Sequence, residues 1–271
     1  MLTRILTGIA MFFIIFLPGT LLSHTFVLPL LCGLLSCFGV YEIIKCFGLH
    51  RKNSILIVSM STGLCLPVLV RYTFLESGIV SVALLILFYV LYMFAVPVFT
   101  NNKIPFDDIS KSALMTIYVS IGFASIVLLR DLEHGVYLYY LAFIGAFITD
   151  IFAYFTGMFL GKHKLSPVIS PKKTVEGSIG GVVACVLSFI LYAHILCTYF
   201  SLNANMLTFA LLGFFTSIVS QLGDLSASAI KRKYDIKDYG FIFPGHGGVL
   251  DRFDSVIAVA PVLFLLCYIV G

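Results

Sequence analysis

The chain has 271 residues, of which 60% are hydrophobic and only 11% are charged. Soluble domains carry roughly 25% charged residues, so this composition and a mean hydropathy of +1.08 exclude a soluble globular domain. The net charge of +4 suits an anionic membrane surface or ligand, but basic loops are common in membrane proteins and this value alone identifies no partner.

Apolar segments long enough to cross a bilayer recur along the whole chain. They predict an all-α integral membrane protein, a polytopic bundle of about nine transmembrane helices, because runs of roughly 20 apolar residues span as helices and not as barrel strands. The predicted spans lie at roughly 5–22, 25–45, 53–72, 77–99, 112–130, 135–160, 177–200, 205–226 and 254–270. We expect a single membrane domain, with scaffold helices 1–5 in about 1–130 and catalytic helices 6–9 in about 134–271.

The distribution of basic residues predicts the orientation. With nine spans and a cytoplasmic N-terminus, every Lys and Arg except Arg71 and Arg130 falls on the cytoplasmic side. This bias supports both the orientation and an odd number of spans. The alternative for the first span is a cleaved signal peptide, but the segment has no small-x-small cleavage site and its removal would leave an even number of spans.

Two polar features interrupt the second half of the chain before residue 177. Asp150 lies inside the sixth predicted span, where an unpaired carboxylate costs several kcal/mol, so we expect it to face the bundle interior. Further on, Ser170 and Pro171 resemble an N-cap and a first helical residue, which would bring Lys172 and Lys173 to a positive helix terminus as a triphosphate cradle. The alternative is an ordinary basic loop with a helix cap.

Carboxylates cluster at the predicted ends of the last two spans. On a helix, Asp224, Ser228 and Lys231 form one stripe at i, i+4 and i+7, where a metal and a phosphate could meet. The simpler alternative is an ion pair between Asp224 and Lys231. Asp251 and Asp254 open the ninth span, where acidic residues also favour a helix N-terminus. Three carboxylates near one membrane face favour metal binding over capping.

A basic, glycine-rich segment lies between these two helices. Its Lys and Arg residues can neutralise phosphates, and glycines let backbone N–H groups approach an anion closely. The candidate phosphate-binding or substrate-binding residues are Lys172, Lys173, Arg232, Lys237, His246, Gly247, Gly248, Arg252 and Asp150. We rank His246 as structural or phosphate-binding before catalytic, because an ionised phosphate nucleophile barely requires a general base. The two basic clusters, Lys172 with Lys173 and Lys231 with Arg232, are expected to serve different phosphates.

The order of these residues resembles a known family signature. One segment of the chain reads Ser228-x-x-Lys231-Arg232-x4-Lys237-Asp238-x5-Pro244-Gly245-His246-Gly247-Gly248-x-x-Asp251-Arg252-x-Asp254. This segment is similar to the signature of the phosphatidate cytidylyltransferases, or CDP-diacylglycerol synthases. The resemblance extends upstream through Gly223-Asp224-Leu225 and Ser170-Pro171-Lys172-Lys173-Thr174 to Asp150, and so covers residues 145–256. One departure is Ala227, where the family commonly has Glu.

The resemblance implies an enzyme that joins CTP and phosphatidic acid to give CDP-diacylglycerol and pyrophosphate for phospholipid biosynthesis. It implies Mg²⁺, with a second cation left open, and places Asp224 and Asp251 as metal ligands, with Asp254 behind them. Asp224, Asp251, Ser228 and Lys231 are the expected catalytic residues. We expect a multi-pass protein of the bacterial cytoplasmic (inner) membrane with its site on the cytoplasmic side. The expected partners are CTP, phosphatidic acid and the bilayer, with no nucleic acid and with a homodimer left open.

Two alternatives remain at this stage. The first is a related membrane enzyme with another lipid acceptor, either a kinase of a polyprenol or of phytol, or a cytidylyltransferase acting on an archaeal ether lipid. Analysis of the reaction products distinguishes these enzymes. An ion-coupled transporter would use Asp150 and Asp224 as an ion path. The sequence disfavours the transporter, because no inverted repeat is evident and the charges gather at one membrane face.

Overall fold

A computed structural model describes Thr7, Ala10 and residues 12–74 and 78–270. A π-helical turn, Phe12–Phe16, leads into a short helix α1 (Leu17–Leu21). The long helices are α2 (Val27–Cys46), α3 (Asn53–Phe74), α4 (Gly78–Phe99), α5 (Phe106–Asp131), α6 (Gly135–Leu160), α7 (Val175–Phe200), α8 (Met206–Lys233) and α9 (Leu250–Val270). Between α6 and α7, strands β1 (Lys164–Ser166) and β2 (Ser170–Thr174) pair antiparallel as a hairpin.

The helix lengths confirm the predicted class of an all-α polytopic membrane protein. Within the described ranges, eight helices, α2 to α9, are long and apolar enough to cross a membrane. They correspond to the second to ninth predicted spans. Within the first predicted span, 5–22, residues 5, 6, 8, 9 and 11 lie outside the described ranges, and the described part contains the π-helical turn and α1. Helix α8 continues to Lys233, beyond the predicted end near 226, so the stripe of Asp224, Ser228 and Lys231 is helical throughout.

The prediction of a helix start at Ser170 and Pro171 is wrong. These residues belong to β2, and the N-cap of α7 is Thr174, whose hydroxyl accepts a hydrogen bond from the N–H of Gly177 at 3.1 Å. The physical reason is that the fixed φ of proline also suits an extended edge strand, while Thr174 is the better cap. Lys172 and Lys173 therefore lie on a strand, in the two positions before the N-cap of α7, and not in the first turn of a helix.

The chain divides into two compact units. The first comprises residues 1–131 and 234–253, and the second comprises residues 132–233 and 254–271. In the first unit, α2 packs against α3 and α5, and α3 also packs against α4. Its core includes Ile43, Val119 and Phe123, and the ring of Phe123 lies 5.7 Å from that of Phe253.

The second unit is built around α6, α7 and α8, which pack against one another. Phe189 of α7 is fully buried at its centre, and Gly145 leaves room for Phe189 and Thr216. A buried polar contact also links α6 to α8, because the hydroxyl of Thr149 donates to that of Ser217 at 3.0 Å. Small and hydroxyl-bearing residues at such contacts let membrane helices approach closely and satisfy their polar groups.

Candidate active site

In the second unit, an ion pair joins the hairpin to α8. The ammonium of Lys173 on β2 contacts the carboxylate of Asp224, and each side chain is about one-quarter exposed. One helical turn further along α8, the hydroxyl of Ser228 lies 3.5 Å from Asp224 Oδ1. The predicted stripe on α8 therefore exists, and its carboxylate pairs with a lysine from a motif about 50 residues upstream in the sequence.

Asp150 of α6 lies near the same group of charges. Its Oδ2 accepts a hydrogen bond from the buried hydroxyl of Ser255 on α9 at 3.3 Å. Asp150 also lies within electrostatic range of Asp224, Asp254 and Lys173. Asp254 Oδ1 accepts the N–H of Ser255 at 2.9 Å. Three carboxylates and one ammonium of the second unit thus interact, which is an arrangement suited to holding a highly charged ligand.

The hairpin that carries Lys172 and Lys173 is anchored at its turn and at its base. At the turn, Arg232 Nε at the end of α8 donates to the carbonyl oxygen of Ile169 at 3.3 Å. At the base, Glu176 in the first turn of α7 accepts hydrogen bonds from the backbone N–H groups of Lys162 and His163 at 3.1 and 3.2 Å. The Nδ1 of His163 lies 2.6 Å from the other oxygen of Glu176. The hairpin therefore contacts α8 at two points, through Lys173 at Asp224 and through Ile169 at Arg232.

In the first unit, the glycine-rich loop is organised by Asp251. Its Oδ2 accepts the N–H of Tyr239 at 2.8 Å and the N–H of Gly248 at 3.0 Å. Gly247 has a φ of +91°, a conformation that favours glycine. Asp251 therefore fixes the loop as well as being a candidate ligand.

Three further candidate residues, Arg252, His246 and Lys237, belong to the first unit. Arg252 Nε donates to the carbonyl oxygen of His246 at 2.7 Å. The Nδ1 of His246 is buried and has no hydrogen-bond partner among the described residues. Lys237 is exposed. The proposed phosphate contacts of Gly247, Gly248, His246, Arg252 and Lys237 stay predictions.

Glu42 is the residue that the sequence reasoning missed. It lies in α2, is 1% exposed, and its two carboxylate oxygens accept the N–H groups of Val249 and Leu250, each at 2.9 Å. A glutamate inside an apolar span is the signal that could have identified it, by the same argument that identified Asp150.

The donor atoms of the predicted metal ligands are chemically suited to Mg²⁺. Carboxylate and hydroxyl oxygens are the hard ligands that this ion prefers, and Asp224 and Ser228 provide both within one helical turn. Among the described residues, no group of three or more His, Cys, Asp or Glu has a metal-binding arrangement. Asp224 and Asp254 belong to the second unit and Asp251 to the first. Mg²⁺ binding stays a prediction.

Comparison with known proteins extends the resemblance to almost the whole chain. The model of the cytidylyltransferase family matches residues 2–270. The phosphatidate cytidylyltransferase of Bacillus subtilis (strain 168) is 41% identical over 201 residues, which are 72% of this chain and 72% of that protein. The proteins of the same name from Staphylococcus haemolyticus (strain JCSC1435) and Staphylococcus aureus (strain COL) are 40% and 41% identical over 169 and 171 residues. Both alignments cover 62% of this chain and 63% of the relative.

Proposed function

The chain belongs to the cytidylyltransferase family, and we propose that it transfers the cytidylyl group of CTP to phosphatidic acid. The products are CDP-diacylglycerol and pyrophosphate, for use in phospholipid biosynthesis. The observation that carries this proposal is the contact between Lys173 and Asp224, which brings two motifs of the family resemblance together in one cluster. A cation and a carboxylate side by side are the groups needed to bind a triphosphate and its counter-ion.

The reaction requires positioning and charge neutralisation more than proton transfer. An oxygen of the lipid phosphate attacks the α-phosphorus of CTP, and the bond from that phosphorus to the bridging β-phosphate oxygen breaks. The electron pair leaves with pyrophosphate. Lys172, Lys173, Lys231 and Arg232 bind and orient the phosphates, because charge-assisted hydrogen bonds suit phosphate oxygens. The attacking phosphate is already ionised at neutral pH, so no residue of the chain has to act as a strong general base.

Asp224, with Ser228 beside it, is the residue we propose as a ligand of Mg²⁺. When bound, the ion would neutralise the crowded phosphate oxygens of CTP. Asp224 would hold the ion in place of its partner Lys173, and Lys173 would then be available to bind a phosphate. Chelation with EDTA should abolish turnover, and excess MgCl₂ should restore it; full activity in EDTA would contradict a metal requirement.

We also propose that the chain resides in the bacterial cytoplasmic membrane with its active site on the cytoplasmic side. CTP is a cytoplasmic nucleotide, and the basic residues that would bind it are those assigned to the cytoplasmic face by the positive-inside distribution. A site at the membrane surface can bind CTP from the aqueous phase and phosphatidic acid from the bilayer.

The proposed reaction can be tested with detergent-purified protein, labelled CTP and phosphatidic acid. The wild-type chain should form labelled CDP-diacylglycerol together with pyrophosphate. Asp224→Asn should lower turnover by at least about 10²-fold, because it removes a charge on which phosphate chemistry depends. Asp235→Asn is the matched control: Asp235 is exposed and has a φ of +51°, which Asn tolerates well, so near-wild-type activity is expected.

Two results would contradict the proposal. Formation of a phosphorylated alcohol and a nucleoside diphosphate would identify a lipid kinase. Equal activity of Asp224→Asn and Asp235→Asn would show that the cluster around Asp224 is not the active site.

A further inference from the structure

Glu42 is a carboxylate buried within a membrane-spanning helix of the first unit, and it has an unusual set of partners. It accepts hydrogen bonds from the N–H groups of Val249 and Leu250, which lie at the start of α9. The first N–H groups of a helix have no partner within the helix, and the helix dipole is positive there. Glu42 therefore caps α9 from more than 200 residues away in the sequence.

Two glycines of the loop before α9 lie directly against this carboxylate. A Cβ at Gly248 would lie 2.2 Å from Glu42 Oε1, and a Cβ at Gly240 would lie 2.3 Å from the same oxygen. The nearest atoms to either added Cβ all belong to Glu42. Neither glycine has a positive φ, so alanine is excluded at these positions by Glu42 and not by the backbone conformation.

The same loop carries Asp251. The N–H of Gly248 donates to Asp251, and the next N–H along the chain, that of Val249, donates to Glu42. Two carboxylates therefore hold consecutive backbone amides. A shift of Glu42 would move Gly248 and Val249 and, through them, Asp251. A further contact of α2 with the start of α9 is the packing of Gly39 against Leu250.

We propose that Glu42 is a positioning residue for cytidylyl transfer. Its carboxylate accepts hydrogen bonds from the amide groups at the start of α9, and it thereby sets the geometry of the glycine-rich loop and of Asp251. The glycines at 240 and 248 are required because this carboxylate occupies the space of their side chains. The inference rests on the proposed function for its effect on catalysis, but the contact itself can be tested independently.

The first test is a double-mutant cycle between Glu42 and Gly248, read as the apparent Tm of the purified protein in detergent. Gly248→Ala should lower the Tm because its Cβ collides with the carboxylate. Glu42→Ala should lower it because two buried N–H groups lose their acceptor. In the Glu42→Ala background, Gly248→Ala should lower the Tm little further, since the carboxylate atoms with which its Cβ collides are absent. Strictly additive losses of Tm would overturn the proposed contact.

The second test separates positioning from stability. Glu42→Gln keeps the size of the side chain but has only one acceptor oxygen for two N–H groups. Among molecules that stay folded and monodisperse, kcat/KM for CTP should fall roughly 10²-fold, with a raised KM, because small displacements of binding groups have effects of this size. A loss of folded protein alone would lower the apparent kcat and leave KM unchanged.

Glu133→Gln provides the matched control, because the Glu133 side chain is 92% exposed and lies before α6, away from this loop in the sequence. It should leave both the Tm and the kinetic constants unchanged. An unchanged KM for CTP in folded Glu42→Gln would overturn the positioning role. Absence of cytidylyl transfer by the wild-type chain would instead contradict the proposed function, while the double-mutant cycle would still decide whether Glu42 holds the loop.

Discussion

Asp251 combines a structural contact with a predicted role in binding metal, and the two can be separated by substitution. The N–H groups of Tyr239 and Gly248 both donate to the same oxygen, Oδ2. An asparagine can accept both through its single carbonyl oxygen, but it carries no charge. Alanine at this position removes the acceptor as well as the charge.

We therefore expect Asp251→Asn to keep the apparent Tm of the wild type while lowering turnover by orders of magnitude. Asp251→Ala should lose both stability and activity. The measurement is thermal unfolding in detergent alongside turnover at saturating CTP and phosphatidic acid. A folded Asp251→Asn variant with normal turnover would show that Asp251 serves the loop alone.

The site could be predicted only in part from the sequence, because its key pairs are distant along the chain. The helical stripe of Asp224 and Ser228 follows from spacing alone, and the structure contains it. The partner of Asp224, however, is Lys173 and not the helical neighbour Lys231 that spacing offered as the simpler alternative. Likewise, Glu42 contacts the end of the glycine-rich loop from more than 200 residues away in the sequence, so local spacing carries no information about this contact.

At the scale of elements, glycines govern the approach of α7 to α6. Gly177 and Gly181 lie four residues apart on one face of α7. A Cβ at Gly177 would lie 2.5 Å from the backbone carbonyl oxygen of Ala153, and one at Gly181 would lie 2.9 Å from that of Thr149. A backbone carbonyl cannot rotate away as a side chain can, so an added methyl group must push the helices apart.

Gly177→Ala should therefore destabilise the second unit by roughly 1–3 kcal/mol, which is typical of overpacking. It should also lower activity, because α7 begins immediately after the strand that carries Lys173. Gly19→Ala is the matched control: the nearest atoms to its added Cβ are 3.9 Å away, so the Tm should not fall. Apparent Tm values in one detergent provide the comparison, and equal Tm values for both variants would contradict close packing at Gly177.

The helices were largely predictable because their signal is local. An apolar run must be long enough to cross the bilayer, and that length can be read directly from α2 to α9. The hairpin was not predictable in this way. Ser170 and Pro171 are equally compatible with a helix start and with an edge strand, and the choice depends on pairing with residues 164–166.

At the scale of the whole molecule, the two arginines outside the positive-inside pattern have local partners. Arg71 makes a two-pronged ion pair with Asp131, with distances of 2.6 and 3.0 Å, and it also donates to the carbonyl oxygen of Ser23 at 2.9 Å. Arg130 Nε donates to the hydroxyl of Ser23 at 3.0 Å. Both arginines thus have hydrogen-bond partners within the first unit, which gives them a structural role that does not depend on the positive-inside pattern.

This orientation predicts opposite accessibility for the loops at the two ends of α7. In a background that lacks the seven native cysteines, Val168→Cys and Asn203→Cys introduce single thiols at exposed positions in these loops. An impermeant maleimide should label Asn203→Cys in intact cells, and it should label Val168→Cys only after the membrane is permeabilised. The reason is that α7 crosses the bilayer between them and the basic hairpin is assigned to the cytoplasm.

Phe241→Cys extends the test to the glycine-rich loop, since Phe241 is 79% exposed, whereas a side chain at Gly240 would collide with Glu42. It should behave like Val168→Cys, because both loops are predicted to meet CTP from the same side. Labelling of Phe241→Cys in intact cells, with Val168→Cys protected, would place the two loops on opposite faces and contradict the predicted topology. Labelling of both in intact cells, with Asn203→Cys protected, would invert the orientation of the whole chain.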